Sequence, residues 1–283
     1  MHCVAIGLER KNFEQFLREI IPLQIPSIYL EGYQNLRDRS KRIGWPKNPR
    51  LIWTSTAFYD EDLFKIWAAE KVEEGKPLLI GQHGGHYGIG LFDLVENHEL
   101  KICDYYLSWG SKRINKKTIP TGIFKKYKKG VKKDHALLVV ASTSRYVTSM
   151  ASMPMGSQMS DIFQDQLTFL DNLPDHILDQ FIVRTYPNDY EWAQYARFND
   201  KFPRLKIDTG KGKLEDVWQN TKISISMWNS TTMLESITTD IPTIIFWDPK
   251  FFELQHSSLE YFDKLKEVGI FHESPESAAN HLI

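Results

Sequence analysis

The stretch KISISMWNSTTMLESITTDIPTIIFWDP, residues 222–249, decides the fold. It reads as a strand, a tight turn, a helix and a second strand, and strands this apolar belong in a parallel sheet covered by helices on both faces. Asn229, Ser230, Thr231 and Thr232 fall where the first strand ends and the helix begins. Unpaired backbone amides and the positive end of the helix dipole favour an anion there. Small hydroxyl residues cap the helix and can also donate to phosphate oxygens. Glu235 lies one helical turn further on, within reach of a ribose hydroxyl. Thr232 with Glu235 also fits a capping box, which accounts for one hydroxyl and the glutamate but not for three consecutive hydroxyls after Asn229.

Outward from this segment the same alternation runs along the whole chain. Strands are predicted at 26–30, 50–54, 77–81, 103–108, 136–141, 179–184, 204–207, 222–227 and 242–246. Amphipathic helices are predicted near 11–21, 60–73, 90–98, 159–172, 190–199, 213–219, 230–239 and 249–266. Two such blocks in series predict an α/β protein with two Rossmann-like, doubly wound domains, an N-terminal one over 1–125 and a C-terminal one over 135–283. The seam is a change of composition: Lys112 to Lys133 holds ten Lys or Arg and no acidic residue. Such a run is either a solvated linker or an attractor of anionic substrates or membrane surfaces. Phe124 and Tyr127 are too few interleaved aromatics for nucleic-acid binding. Both ends look unfinished, the last residues opening a helix at SPES without a closing cap, so truncation at both ends is expected.

A second segment, LLIGQHGGHYGIG at 78–90, breaks an apolar strand into five glycines and two histidines within ten residues. Glycine admits positive φ and close approach of the backbone to another group, so this is a bare loop at a strand end, the edge where open α/β sheets bind ligands. His83 and His86 titrate near neutrality and suit a general base or a hydrogen-bond donor, with Asp93 able to orient one of them or to serve as the base. Packed structural histidines are the competing reading. No third ligand completes a metal site, so no metal and no cofactor are expected.

Two further strand ends carry anion-friendly groups. Arg184 emerges from FIVRTYPND where an apolar strand meets a Pro-fixed turn, with Tyr186 placed to stack on a base or donate to a phosphate. Ser142, Thr143, Ser144 and Arg145 follow the first strand of the second block.

Composition bounds the rest. The chain has 283 residues, 42% hydrophobic and 25% charged, with a formal net charge of −1, so overall charge favours no polyanionic partner. Two cysteines, Cys3 and Cys103, make neither a disulfide framework nor a metal quartet and suggest a reducing compartment. The start lacks signal-peptide order and no run is long enough to span a bilayer, so a soluble, cytoplasmic protein is expected.

NSTTMLESITTDIPTIIFWDP resembles the donor-binding segment of GT-B glycosyltransferases. RTYP followed by NSTT is similar to the two-part arrangement of bacterial sialyl and Kdo transferases, although Tyr186 stands where that family has histidine. GQHGGHYG, YYLSWGS, IPTG and STTMLES together look most like the transferases of O-antigen and surface-carbohydrate clusters, the LIC12162-like family, over roughly 77–283. The resemblance implies transfer of a sugar from a nucleotide-sugar donor to a glycan or lipid-linked acceptor, at the inner face of the membrane where Lys112–Lys133 would make peripheral contact. It makes Arg145, Arg184, Tyr186, Asn229, Ser230, Thr231, Thr232 and Glu235 donor contacts, and places His83, His86 and Asp93 across an interdomain cleft as the catalytic side. A nucleotide-sugar 2-epimerase, a polyol-phosphate transferase and a non-catalytic scaffold of a glycan-assembly complex are the alternatives on the same fold.

Overall fold

A computed structural model describes residues 10–110, 115–123, 134–146 and 151–283. Contacts divide the chain into two compact units, Met1–Gly81 with Ile102–Ser108 and Lys112–Pro120, and Gln82–Lys101 with Trp109–Ser111 and Thr121–Ile283. Most of the basic run, including Phe124 and Tyr127, lies outside the described residues, as does Cys3.

The first unit holds four parallel strands that pair in chain order: β1 (Ile52–Thr54), β2 (Leu78–Gly81), β3 (Tyr105–Ser108) and β4 (Thr118–Pro120). Ile52, Ile80 and Tyr106 are buried, as parallel strands sandwiched between layers require. The helix Tyr33–Arg42 packs on the helix Asp62–Glu73, with Leu36 buried and Arg37 paired to Glu70.

Two expectations change here. PSIYL is not a strand: Pro26 opens a single 3-10 turn over Ser27–Tyr29, closed by Tyr29 N–H donating to the Pro26 carbonyl at 2.9 Å. Part of the basic run is not linker: β4 pairs with β3, Thr118 is fully buried, and Lys117 Nζ donates to the Cys103 carbonyl at 2.6 Å. Strands of three residues carry too few side chains for an alternation to stand out.

The second unit is a six-stranded parallel sheet of β5 (His135–Val139), β6 (Phe181–Arg184), β7 (Lys206–Asp208), β8 (Thr221–Ser226), β9 (Thr243–Phe246) and β10 (Phe271–His272). Its spatial order, β7-β6-β5-β8-β9-β10, is 3-2-1-4-5-6 in the unit's own numbering, the doubly wound order of Rossmann-like domains. The core is aromatic and continuous. Phe169 stacks on Phe246 at 5.0 Å, and Trp247 packs against Phe252, Phe262 and Phe271 at 4.9–5.5 Å. Each such ring stabilises the fold by about 1.5–3 kcal/mol when fully buried. The closing SPES does start a helix, Pro275–Leu282, whose Ser274 Oγ accepts from the Ser277 amide at 3.2 Å. No helix among the described residues is long and apolar enough to cross a membrane.

The glycine-histidine loop and the helix after it, Leu94–Ile102, pack with the second unit. Hydrogen bonds fix them there. Leu91 N–H donates to the Glu253 carbonyl at 2.8 Å and Gln255 N–H to the Ile89 carbonyl at 2.9 Å. Phe92 N–H donates to Ser152 Oγ at 2.9 Å, and Ser258 Oγ donates to the Gly88 carbonyl at 3.0 Å. The boundary expected from composition ran through the basic segment and assigned this loop to the N-terminal domain. These long-range bonds, which composition does not report, assign it to the other unit.

Candidate functional site

In a 3-2-1-4-5-6 sheet the strand order reverses between the first and fourth strands, here β5 and β8, and their carboxyl ends diverge to leave a crevice. The turn Met227–Ser230 leaves β8 at that point and feeds the helix Thr231–Thr238. Ser230 is its N-cap residue, extended at φ −143° and ψ 178°, with no side-chain capping bond. The hydroxyls of Ser230, Thr231 and Thr232 are half-buried at the helix mouth, while Asn229 and Glu235 are buried. Because the cap is Ser230, Thr232 stands inside the helix and forms no capping box with Glu235.

The glycine-histidine loop rests directly on this mouth. A Cβ added to Gly85 would stand 2.4 Å from the carbonyl carbon and oxygen of Ser230 and 2.5 Å from the Thr231 nitrogen. Only a residue without a side chain allows that approach. Gly88, at φ +70°, then turns the chain back toward its own helix. Gly85→Ala is expected to push the loop off the helix mouth; amide hydrogen exchange over 82–92 and 229–233 should rise together, and unchanged protection would show the contact to be slack.

The turn brings two histidine–carboxylate couples together. His86 Nε2 lies 2.7 Å from Asp93 Oδ2, and Asp93 is buried. Asp93 Oδ1 accepts from the amides of Val95 at 2.8 Å and Glu96 at 3.0 Å, at the start of the helix Leu94–Ile102. Burial alone would raise the Asp93 pKa, but the His86 contact and these amides outweigh it and hold the carboxyl below its usual range. Tyr87 donates to Glu99 Oε1 at 3.0 Å and lies 3.1 Å from the ring nitrogens of His83; Glu99 is fully buried, 3.4 Å from His83 Nδ1. Burial and the neighbouring Glu99 push the Tyr87 phenol well above its ordinary pKa, so it stays a donor at any physiological pH. Glu96 Oε2 accepts from the Gly88 amide at 2.9 Å, and burial raises the pKa of that carboxyl. Tyr87, Glu96 and Glu99 were not anticipated. Their signal was the three-residue spacing Asp93, Glu96, Glu99, which stacks three acids along one helix face.

The other strand ends are arranged differently. Arg184 is buried, pairs with the Asp208 carboxylate, and donates to the carbonyls of Gly210 at 3.1 Å and Gly212. Its guanidinium is occupied within the sheet edge, so the expected grip on a donor phosphate finds no free fork. Arg145 donates to the Glu191 carbonyl and lies over the Trp192 ring at 5.0 Å. Tyr186 is exposed and stacks on Tyr190 at 6.1 Å. Ser142 donates to the Asp189 carbonyl at 3.3 Å, tying the loop after β5 to the loop after β6. No group of three or more His, Cys, Asp or Glu able to hold a metal ion occurs among the described residues.

Comparison with curated proteins gives no match. Among solved structures, the chain is similar to an alpha,alpha-trehalose-phosphate synthase (UDP-forming) from Burkholderia vietnamiensis, at 9% identity and a TM-score of 0.44 over 97% of this chain and 78% of that one. The family model described as LIC12162 family transferase matches residues 5–283. Matched over nearly all of its length, and carrying its histidine loop against a helix mouth at the sheet's switch point, the chain belongs to the LIC12162 family of transferases.

Proposed function

We propose that this transferase is a GT-B glycosyltransferase that moves a sugar from a nucleotide-sugar donor to a hydroxyl of a surface-polysaccharide or O-antigen acceptor. One observation carries the reading: the Gly85 backbone lies against Ser230 and Thr231, so a histidine–carboxylate couple and an anion-favouring helix mouth belong to one site. The donor diphosphate or monophosphate sits at Asn229, Ser230, Thr231 and Thr232, where amides and hydroxyls neutralise charge on the departing phosphate. Asp93 takes the Nε2 proton of His86 and leaves Nδ1 bare to act as the base. His86 Nδ1 removes the proton of the acceptor hydroxyl as that oxygen bonds to the anomeric carbon. The bond from that carbon to the phosphate oxygen breaks, and the leaving nucleotide keeps the electron pair. His83, backed by Tyr87 and Glu99, contacts the acceptor. Lys112–Lys133 supplies peripheral contact with an anionic membrane face bearing a lipid-linked acceptor.

A thermal-shift series with CMP, CDP, UDP and GDP tests the donor side. A nucleotide at a hundred times its Kd should add about 2.7 kcal/mol of stability. The joint Ser230→Ala and Thr231→Ala variant should shift that dose response to higher concentration. If none of the four nucleotides raises Tm at millimolar concentration, the donor assignment fails.

A further inference from the structure

We infer that Asn229 reads a hydroxyl as well as a phosphate oxygen, so that the helix mouth selects a hydroxylated phosphate ester, a sugar or nucleoside phosphate, over a bare oxyanion. The inference rests on the proposed phosphate site and names what that site discriminates. Asn229 is 2% exposed, and neither its Oδ1 nor its Nδ2 has a hydrogen-bond partner among the described residues. A buried carboxamide with nothing to bond is costly, and turns that use asparagine structurally bond its side chain to their own backbone. Here the turn is held without it. Ser226 Oγ donates to the Trp228 carbonyl at 3.4 Å, Trp228 packs edge-on against Phe252 at 5.3 Å, and Ser230 occupies the cap position.

The chemistry of the orphan atoms sets the ligand class. The carboxamide offers two N–H donors and one carbonyl acceptor. A fully ionised oxyanion can accept from Nδ2 but has no hydrogen to give Oδ1, so half of the amide would stay unpaired. A phosphate ester that carries a neighbouring hydroxyl satisfies both ends at once. Asn229 also stands at the switch point between β5 and β8, beside the helix mouth that favours the anionic part. An unpaired group at a binding edge penalises ligands that lack its complement far more than it rewards those that match.

The test uses the full chain, wild type and Asn229→Leu, with sulfate as the bare anion and glucose 1-phosphate and CMP as the esters, at pH 8 so that charges match. Removing an unpaired buried amide should raise the Tm of the ligand-free variant by about 2–4 °C. Calorimetry should show wild type preferring at least one ester over sulfate by about tenfold, a preference that falls at least fivefold in Asn229→Leu. A fall in Tm would show the amide to be a structural bond, and the inference fails. Equal binding of sulfate and esters by wild type, or an unchanged preference in the variant, also overturns it while leaving the phosphate site standing. If wild type binds neither ester nor sulfate, the phosphate site itself is lost and this inference with it.

Discussion

Arg184→Ala will lower the Tm of the second unit by roughly 6–20 °C, with little change in the affinity of whatever folded fraction remains for nucleotides. The guanidinium is buried and satisfies the Asp208 carboxylate together with the Gly210 and Gly212 carbonyls. Truncation leaves a carboxylate and two carbonyls facing the space it vacated, and breaking a buried pair from one side costs about 3–5 kcal/mol. Arg184→Lys should recover only part of the loss, because one ammonium cannot reproduce a planar fork that reaches three acceptors. Thermal denaturation with a parallel nucleotide titration separates the two roles. A normal Tm with weakened nucleotide binding would restore Arg184 as a donor contact.

Asp93→Ala should remove nearly all transfer, by about a hundredfold to ten-thousandfold in kcat, as expected for a general base that loses its orienting carboxylate. His86→Ala should give a loss of the same order, and the double variant little more, because the two act as a unit. Asp93→Ala should also lose about 1 kcal/mol from the uncapped helix Leu94–Ile102. Asp93→Asn isolates the charge. The Asp93 carboxyl titrates below its unfolded value, so its stabilising effect is complete above the unfolded pKa of about 3.9 and disappears as pH falls through the lower folded pKa. Tm profiles of wild type and Asp93→Asn should therefore run apart from about pH 5 upward and converge in acid. Parallel profiles down to the lowest pH, or full turnover by His86→Ala, would remove this couple from the mechanism.

Local patterning in the chain already determined the α/β class, the sheet of the second unit and the helix mouth at Asn229–Thr232. Strand and helix periods are set by residues only two to four positions apart, and cap chemistry is local as well. The histidine loop and Asp93 were legible for the same reason, since glycines cluster where the backbone must come close to something. Tertiary contacts decided the rest. Arg184 found its acceptors 24 to 28 residues away across β7, a separation no periodicity reports. Bonds from Leu91, Phe92 and Ser258 drew residues 82–101 out of the unit their strand begins in and set Gly85 on Ser230. β4 and β10 were missed because strands of two or three residues exist only through their neighbours. The type of each element is a property of short segments, whereas the meeting of a loop with a helix depends on which long-range hydrogen bonds and buried faces prevail in the folded chain.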